Sequence, residues 1–239
     1  MNTVFKFYLQ VWMLLGLVAA IGAALVVLHA RDHVGPLGKA VWAIAGAFLL
    51  VAGLLFPALA TPARLADRFN PLPRTLDGMA YMASATYDDN PHDDNNQIVS
   101  YSLAGDDQAI TWIQNNIPGS PVILEGNTPL YRWGSRVSVY TGLPDVIGWD
   151  WHETQQRSGY TQLIEDRKAD VQSMLGDAVP FAQIAPLLDK YHVQYIYIGA
   201  LEKAYYDPAG LQKFPDAAST GQLQIVYNAD GVTIYRYPG

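Results

Sequence analysis

The stretch Thr141–Arg157, TGLPDVIGWDWHETQQR, gathers the side chains in this sequence that are best suited to ligand binding. It combines tryptophans, a histidine, acids, an arginine and glutamines, and it follows neither a helical nor a strand repeat. Two glycines and a proline interrupt regular structure within it, which predicts a loop. Polar and aromatic groups on a loop held by a scaffold often contact a ligand. The alternative is a well-packed connection in which Trp149 and Trp151 are core aromatics.

Several side chains in or near this loop suit a sugar or a phosphate. An indole such as that of Trp149 could stack on a sugar face, and the charged groups could hydrogen-bond hydroxyls or a phosphate. His152 could serve as a general base only if a partner tunes its pKa near neutral pH. The candidates for substrate binding here are Trp149, His152, Glu153, Arg157 and Arg167. A polar network that only fixes the loop is equally compatible with them, and no catalytic residue is identified.

Two further candidates follow predicted strands. Glu125 comes directly after the apolar run 121–124, PVIL, and Glu202 follows the run 192–199, HVQYIYIG, which is the clearest strand in the chain. Ligands of open α/β sheets tend to bind at the carboxyl ends of strands, which makes both acids candidates for substrate binding. The alternative for Glu125 is a polar strand terminus that reaches solvent. The alternating run Arg136–Tyr140 predicts another strand, which leads into the loop.

These strands belong to a predicted α/β domain over residues 106–239. A helix is expected to start at residues 105–107 and to end at Asn115-Asn116, and two more are expected over Ser158–Leu175 and Ala182–Tyr191. The strands Leu223–Tyr227 and Val232–Tyr237 are expected to form a hairpin through Asn228–Gly231. The fold class is therefore α/β with a mixed sheet, in two or three layers.

A transmembrane hairpin is predicted for residues 1–62. Two charge-free apolar runs, at about 8–28 and 40–60, are each long enough to cross a hydrocarbon core, which takes about 20 residues. Thr61-Pro62 is expected to end the second helix, because proline disfavours helix at the residue before it. The lipid bilayer is thus an expected partner, and the chain is expected to be an integral protein of the plasma membrane.

Residues 63–105 read as a juxtamembrane linker. They include the polar run Asp88–Asn96, DDNPHDDNN, which is expected to be a solvated, mobile acidic loop. The loop between the two spans carries Arg31 and Lys39, which favours a cytoplasmic loop and therefore an extracytoplasmic soluble domain. Three arginines just beyond the second span favour the opposite orientation.

Several functions are disfavoured by the composition and by missing motifs. The net charge of −7 argues against nucleic-acid binding, and the absence of cysteine excludes thiolate metal sites. The sequence contains no GxGxxG, P-loop or GxSxG motif. His152-Glu153 does not continue into HExxH, because Gln156 stands where the second histidine would be. No metal site and no cofactor are identified.

With these residues in view, the chain resembles the carboxyl-terminal part of the YYY-type membrane proteins of Archaea and Chloroflexi, whose function is uncharacterised. The resemblance covers nearly the whole chain. It rests on NTVFKFYLQVW, TLDGMAYM, AITWIQNNIPGSPVILEG, RVSVYTGLPDVIGWDWHETQQR and LLDKYHVQYIYIGALE, of which the first and fourth are the most specific. Members of that family are similar to C-type glycosyltransferases, which are multi-span membrane enzymes that use lipid-linked sugars.

The resemblance implies a membrane glycosyltransferase as the full-length parent. Its catalytic acid would lie in a first extracytoplasmic loop that this chain lacks, so the soluble domain is expected to bind or position substrate. The implied partners are a lipid-linked sugar and the missing amino-terminal transmembrane helices, and a divalent cation stays open for the parent. The alternative is a non-enzymatic, membrane-anchored interaction or assembly domain. A transporter fragment is disfavoured by the charge-free spans.

Overall fold

A computed structural model describes residues 2–68, 75–92, 97–129 and 131–238. The chain divides into two compact units, residues 1–71 and 72–239, and each is described by itself. Together they confirm the predicted fold class, two long apolar helices followed by an α/β domain with a mixed sheet.

The first unit consists of helices α1 (Asn2–His33) and α2 (Pro36–Arg68). Each contains a stretch that is long and apolar enough to cross a membrane, of 24 residues in α1 and 32 residues in α2. The prediction that Thr61-Pro62 ends the second helix is wrong, since α2 continues through Pro57 and Pro62 to Arg68. Proline inside a helix removes one backbone hydrogen bond, a defect that membrane helices tolerate.

The main sheet of the second unit has the strand order β3-β4-β6-β5. Its strands are β3 (Val122–Leu124), β4 (Val193–Ile198), β5 (Gln224–Ala229) and β6 (Val232–Arg236). Strand β4 is parallel to β3 and antiparallel to β6, and β5 and β6 form the predicted hairpin. The sheet is therefore mixed, with the apolar strand β4 inside it.

Helices cover both faces of this sheet. One core lies under α6 (Thr161–Gly176), α7 (Phe181–Lys190) and α10 (Lys213–Ser219) and takes in Ile196 and Ile198 from β4. The other lies under α3 (Ala104–Asn116) and α4 (Arg136–Thr141) and takes in Tyr197. Successive residues of a strand point to opposite faces of the sheet, so alternate side chains of β4 pack into the two cores. The domain therefore has three layers, with the sheet between two layers of helices. The remaining helices are α5 (Asp150–Gln156), α8 (Ala200–Tyr205) and α9 (Pro208–Leu211).

The expected linker, residues 63–105, divides differently. Its first residues continue α2, while β1 (Thr86–Asp89) and β2 (Val99–Ser102) pair as a two-stranded antiparallel sheet in the second unit. Asp89, within the run predicted as a solvated acidic loop, is buried. Residues 93–96 of that run lie outside the described residues, so its mobility stays a prediction.

Two further predictions of local structure are wrong. The run Arg136–Tyr140 is helix α4 rather than a strand, and the loop Thr141–Arg157 contains helix α5. The next helix begins at Thr161 instead of Ser158. The valines of RVSVY favour a strand by propensity, but a buried carboxylate from elsewhere in the chain binds the first turn of α4, and this tertiary contact decides the outcome.

Candidate functional site

The centre of the second unit is a buried cluster of charges around Arg136. Its guanidinium donates to both oxygens of Glu202, at 3.1 and 2.8 Å, and its Nε donates to Asp106 Oδ2 at 2.7 Å. A third carboxylate, that of Glu125, lies 3.4 Å from the same guanidinium. All four side chains are buried. Two-pronged arginine–carboxylate pairs of this kind fix geometry as well as charge.

Each member of the cluster is positioned by the end of a regular element. Glu125 directly follows β3, and Glu202 lies in the first turn of α8, just after β4. Because β3 and β4 are parallel, their carboxyl ends meet at one edge of the sheet, where the sequence analysis placed both acids. Asp106 comes from the first turn of α3 and also accepts from Tyr197 Oη and Trp133 Nε1. The cluster therefore joins three helices to the sheet.

The Glu125 carboxylate also caps the amino-terminal end of α4. Its oxygens accept from the backbone N–H groups of Val137, at 3.1 Å, and Ser138, at 3.0 Å. Burial raises the pKa of Glu125 to about 7, although the Arg136 charge and these N–H groups lower it. Nearby, burial and the Glu125 charge raise the pKa of Asp145 well above its usual value. Glu125 therefore holds a proton in part of the molecules at neutral pH. Glu125 and Glu202 are buried and organise the interior instead of lining an open surface.

The other five candidates lie on or beside α5 and α6. The loop before α5 runs along β3, since Ile123 N donates to Pro144 O at 2.9 Å. Trp149 Nε1 donates to Gly134 O at 3.1 Å, which ties the loop to the start of α4. These contacts place Trp149 at the carboxyl end of the sheet.

Trp149 and His152 come together around a residue that the sequence analysis missed. The ring of Tyr131 stands edge-on to Trp149, with centroids 5.6 Å apart, and edge-on to His152, with centroids 6.3 Å apart. Tyr131 itself is 61% exposed and has a φ of 56°, in the left-handed region. The ring contacts and the backbone torsion of Tyr131 are seen only in the structure, and no pattern in the sequence indicated them.

Glu153, Arg157 and Arg167 line one open pocket of about 220 Å³. The other lining residues are Tyr160, Leu163 and Ile164. Arg157 Nη1 lies 3.5 Å from Glu153 Oε2, and the Arg157 side chain is 60% exposed. Arg167 Nη1 donates to Val146 O at 3.1 Å, while its buried Nε has no hydrogen-bond partner within the described part of the chain. Two guanidinium groups, one carboxylate and a tyrosine ring thus share a small concave surface.

Polar contacts at the amino-terminal end of α5 hold this pocket in shape. Glu153 Oε1 accepts from Gly148 N at 2.9 Å, which fixes the entry into the helix. Asp150 on α5 pairs with Lys168 on α6, with 2.7 Å between Oδ2 and Nζ. The hydrogen bond to Asp150 raises the pKa of Lys168, so this lysine stays charged at neutral pH. The candidates therefore lie in three places: a buried pair of acids, an aromatic group around Tyr131, and the pocket between α5 and α6. That they bind substrate stays a prediction.

No protein-family model matches the chain, and no curated protein matches it. Among the solved structures that the chain is similar to is the C-terminal globular domain of an oligosaccharyltransferase from Archaeoglobus fulgidus, with a TM-score of 0.35 and 10% identity over 54% of this chain and 94% of that chain. The resemblance to YYY-type membrane proteins stays a prediction.

Proposed function

We propose that this chain is a membrane-anchored part of a glycosyltransferase that uses a lipid-linked sugar, and that its soluble domain binds and positions the sugar phosphate. The observation that carries the proposal is the pocket between α5 and α6, where Glu153, Arg157 and Arg167 meet. These three residues are candidates on the sequence alone, and Arg167 stands ten residues beyond Arg157.

The chemistry of the pocket suits a phosphorylated sugar. Planar guanidinium groups bind phosphate oxygens through paired N–H donors, and Arg157 is exposed enough to do so. The Glu153 carboxylate can accept from a sugar hydroxyl, and the Tyr160 ring offers an apolar face. The volume of about 220 Å³ is below the roughly 300–1,000 Å³ of pockets for larger ligands, so one headgroup fits better than a long glycan.

The helices α1 and α2 supply the reason for a lipid-linked ligand. A domain attached to two helices of membrane-crossing length works near a bilayer surface, where a polyprenyl-linked sugar presents its phosphate. In this proposal the domain is extracytoplasmic. Its role is binding, because the Glu153 carboxylate is already held by Gly148 N and Arg157 and is poorly placed as a free acid or base.

A binding measurement on the full chain in detergent tests the proposal. The ligand is a short polyprenyl phosphate that carries one hexose, with titration followed by calorimetry. We expect Arg157→Gln to weaken binding about tenfold or more, since a hydrogen bond to a charged group contributes roughly 1.5–3 kcal/mol. Arg236→Gln is the matched control, because Arg236 is exposed on β6 and does not line this pocket. Equal affinity of wild type and Arg157→Gln would remove the pocket from the proposed function.

A second candidate is a non-enzymatic, membrane-anchored interaction domain. It is favoured by large exposed apolar side chains on the same two helices and the turn between them: Trp151 is 50%, Tyr160 59% and Leu163 49% exposed. Exposed aromatic residues are frequent anchors of protein interfaces. In this case Trp151→Ser would change the size of the native membrane complex on a blue native gel, whereas Arg157→Gln would leave it unchanged. An unchanged complex size for both variants would count against the interaction domain.

A further inference from the structure

Lys213, the first residue of α10, is buried without an acidic partner. It is 5% exposed, and its Nζ donates to the backbone oxygen of Met174 at 2.7 Å. Within the described part of the chain, no carboxylate lies within ion-pairing distance of this amine. Lysine is almost never fully buried unless it is paired, so the position calls for an explanation.

Helix capping explains only part of the arrangement. Met174 lies in the last turn of α6, whose final carbonyl groups have no partner within the helix. A lysine ammonium satisfies such a carbonyl and interacts favourably with the helix dipole. A lysine at the protein surface could cap the same carbonyl while its ammonium group stayed in contact with water. The cap therefore accounts for the hydrogen bond but not for the burial.

A cavity that is open to the surface lies against the same lysine. It measures about 470 Å³, and the residues that line it include Phe181, Ala209, Gln212, Lys213 and Thr220. Its polar groups are amides and a hydroxyl, together with the Asp216 carboxylate, which accepts from Gln212 Nε2 at 2.9 Å. An open space beside a buried amine has room for a small molecule, and the carboxylate disfavours an anionic one.

The electrostatics of the site leave the amine partly neutral at mildly alkaline pH. Burial lowers the pKa of Lys213 to about 8, although the Asp177 charge raises it. About half of the molecules therefore carry the neutral amine at pH 8. Neutral lysine is a nucleophile, and desolvation is one of the ways in which proteins activate it.

We propose that Lys213 is a nucleophilic lysine and that the adjacent cavity takes a small uncharged hydroxyaldehyde, which the amine binds as a Schiff base. The amine nitrogen adds to the carbonyl carbon, and the carbinolamine then loses water to give the imine. The oxygen of the water comes from the aldehyde and both of its hydrogens come from the amine, so no oxidant or reductant is needed. This site is separate from the α5–α6 pocket, and the proposal does not depend on the sugar-phosphate function.

Reductive trapping tests the reactivity of Lys213. The full chain in detergent is treated with glycolaldehyde and cyanoborohydride at pH 8, and the modified lysines are identified by peptide mass spectrometry. Lys168 and Lys190 are internal references, because both are more exposed and hydrogen bonds to acids raise the pKa of each. We expect Lys213 to be modified at least fivefold faster than either reference. Modification at an equal or lower rate would overturn the proposal.

A second variant tests whether the cavity, and not the lysine alone, directs the reaction. Ala209 lines the cavity, so Ala209→Leu narrows it without changing Lys213. The expected result is at least a threefold slower modification of Lys213, with Lys168 and Lys190 unchanged. Ala178 also lines the cavity, and Ala178→Leu replaces Ala209→Leu if that variant loses its near-ultraviolet circular dichroism. An unaltered Lys213 rate in a folded variant would contradict the assigned site.

Discussion

Arg136 and Glu202 form a two-pronged ion pair at 3.1 and 2.8 Å although they stand 66 residues apart in the chain. The pair joins α4 to α8, the helix that follows β4. Both side chains are almost wholly excluded from solvent. A buried charge that loses its partner is costly, so this contact makes the fold sensitive to substitution at either residue.

Replacement of Arg136 by methionine should therefore be strongly destabilising. Arg136→Met leaves the Asp106 and Glu202 carboxylates buried without their cation, and breaking a buried pair in this way costs about 3–5 kcal/mol. The measurement is urea unfolding of the detergent-solubilised chain, followed by near-ultraviolet circular dichroism. Arg236→Met, at an exposed position, should change the free energy of unfolding by no more than about 0.5 kcal/mol. A loss at Arg136 as small as that of the control would contradict the structural role given to the cluster.

Stability should also depend on pH through Glu125. Burial raises the pKa of this carboxyl from an ordinary value of 4.5 to about 7, so the folded state binds the proton more tightly than the unfolded state. Its contribution is fully present below about pH 4.5 and is lost as the pH rises through about 7. The free energy of unfolding should therefore fall over this window, by up to about 3 kcal/mol from this group.

Glu125→Gln should flatten that slope, because a glutamine binds no proton. Unfolding is measured at pH 5, 6, 7 and 8 in wild type and variant, and the difference between the two profiles reports Glu125 together with its effect on Asp145, whose pKa the Glu125 charge raises. Glu165→Gln, at an exposed position on α6, is the control and should leave the profile as it is in wild type. Parallel profiles for wild type and Glu125→Gln would show that Glu125 does not titrate in this range.

The elements that follow from local pattern could be predicted from the sequence. Strand β4 is a run of aromatic and β-branched residues that is followed directly by Gly199, and the β5–β6 hairpin is marked by its turn. Helix α4 could not be predicted, because its residues favour a strand and the Glu125 cap that decides the matter is 12 to 13 residues away. Tertiary contacts override the intrinsic secondary-structure propensity of a segment in such cases.

The candidate site was predictable to a similar extent. Glu153 and Arg157 were both candidates, but the four-residue spacing brings them together only because α5 is a helix where the sequence predicted a loop. Arg167 joins them only through the packing of α5 on α6, which no local pattern encodes. The role of Arg136 was hidden for the same reason, since its three acidic neighbours come from separate parts of the chain.

At position 131, replacement of Tyr131 by glycine should destabilise the protein less than replacement by alanine. Its φ of 56° lies in the left-handed region, where a Cβ atom costs roughly 1–2 kcal/mol. Both substitutions remove the aromatic ring, so Tyr131→Gly should be more stable than Tyr131→Ala by about 1 kcal/mol in urea unfolding. The same pair of substitutions at the exposed helical residue Val139 should give the opposite order, because glycine is a poor helix former. The same order at both positions would argue against the strained backbone at Tyr131.

Gly210 should not accept any side chain. It lies on α9, and a Cβ atom there would overlap the backbone oxygen of Gly176 at the end of α6. Because the obstructing atom belongs to the backbone, Gly210→Ala has to push α9 away from α6, and overpacking of this kind costs about 1–3 kcal/mol. Urea unfolding gives the total cost, and faster amide exchange in the last turn of α6 would locate it. Gly78→Ala is the control, since a Cβ atom at Gly78 meets nothing within 4 Å and should change stability by no more than about 0.5 kcal/mol. If Gly210→Ala matched this control, α9 and α6 would not approach each other as closely as the structure has them.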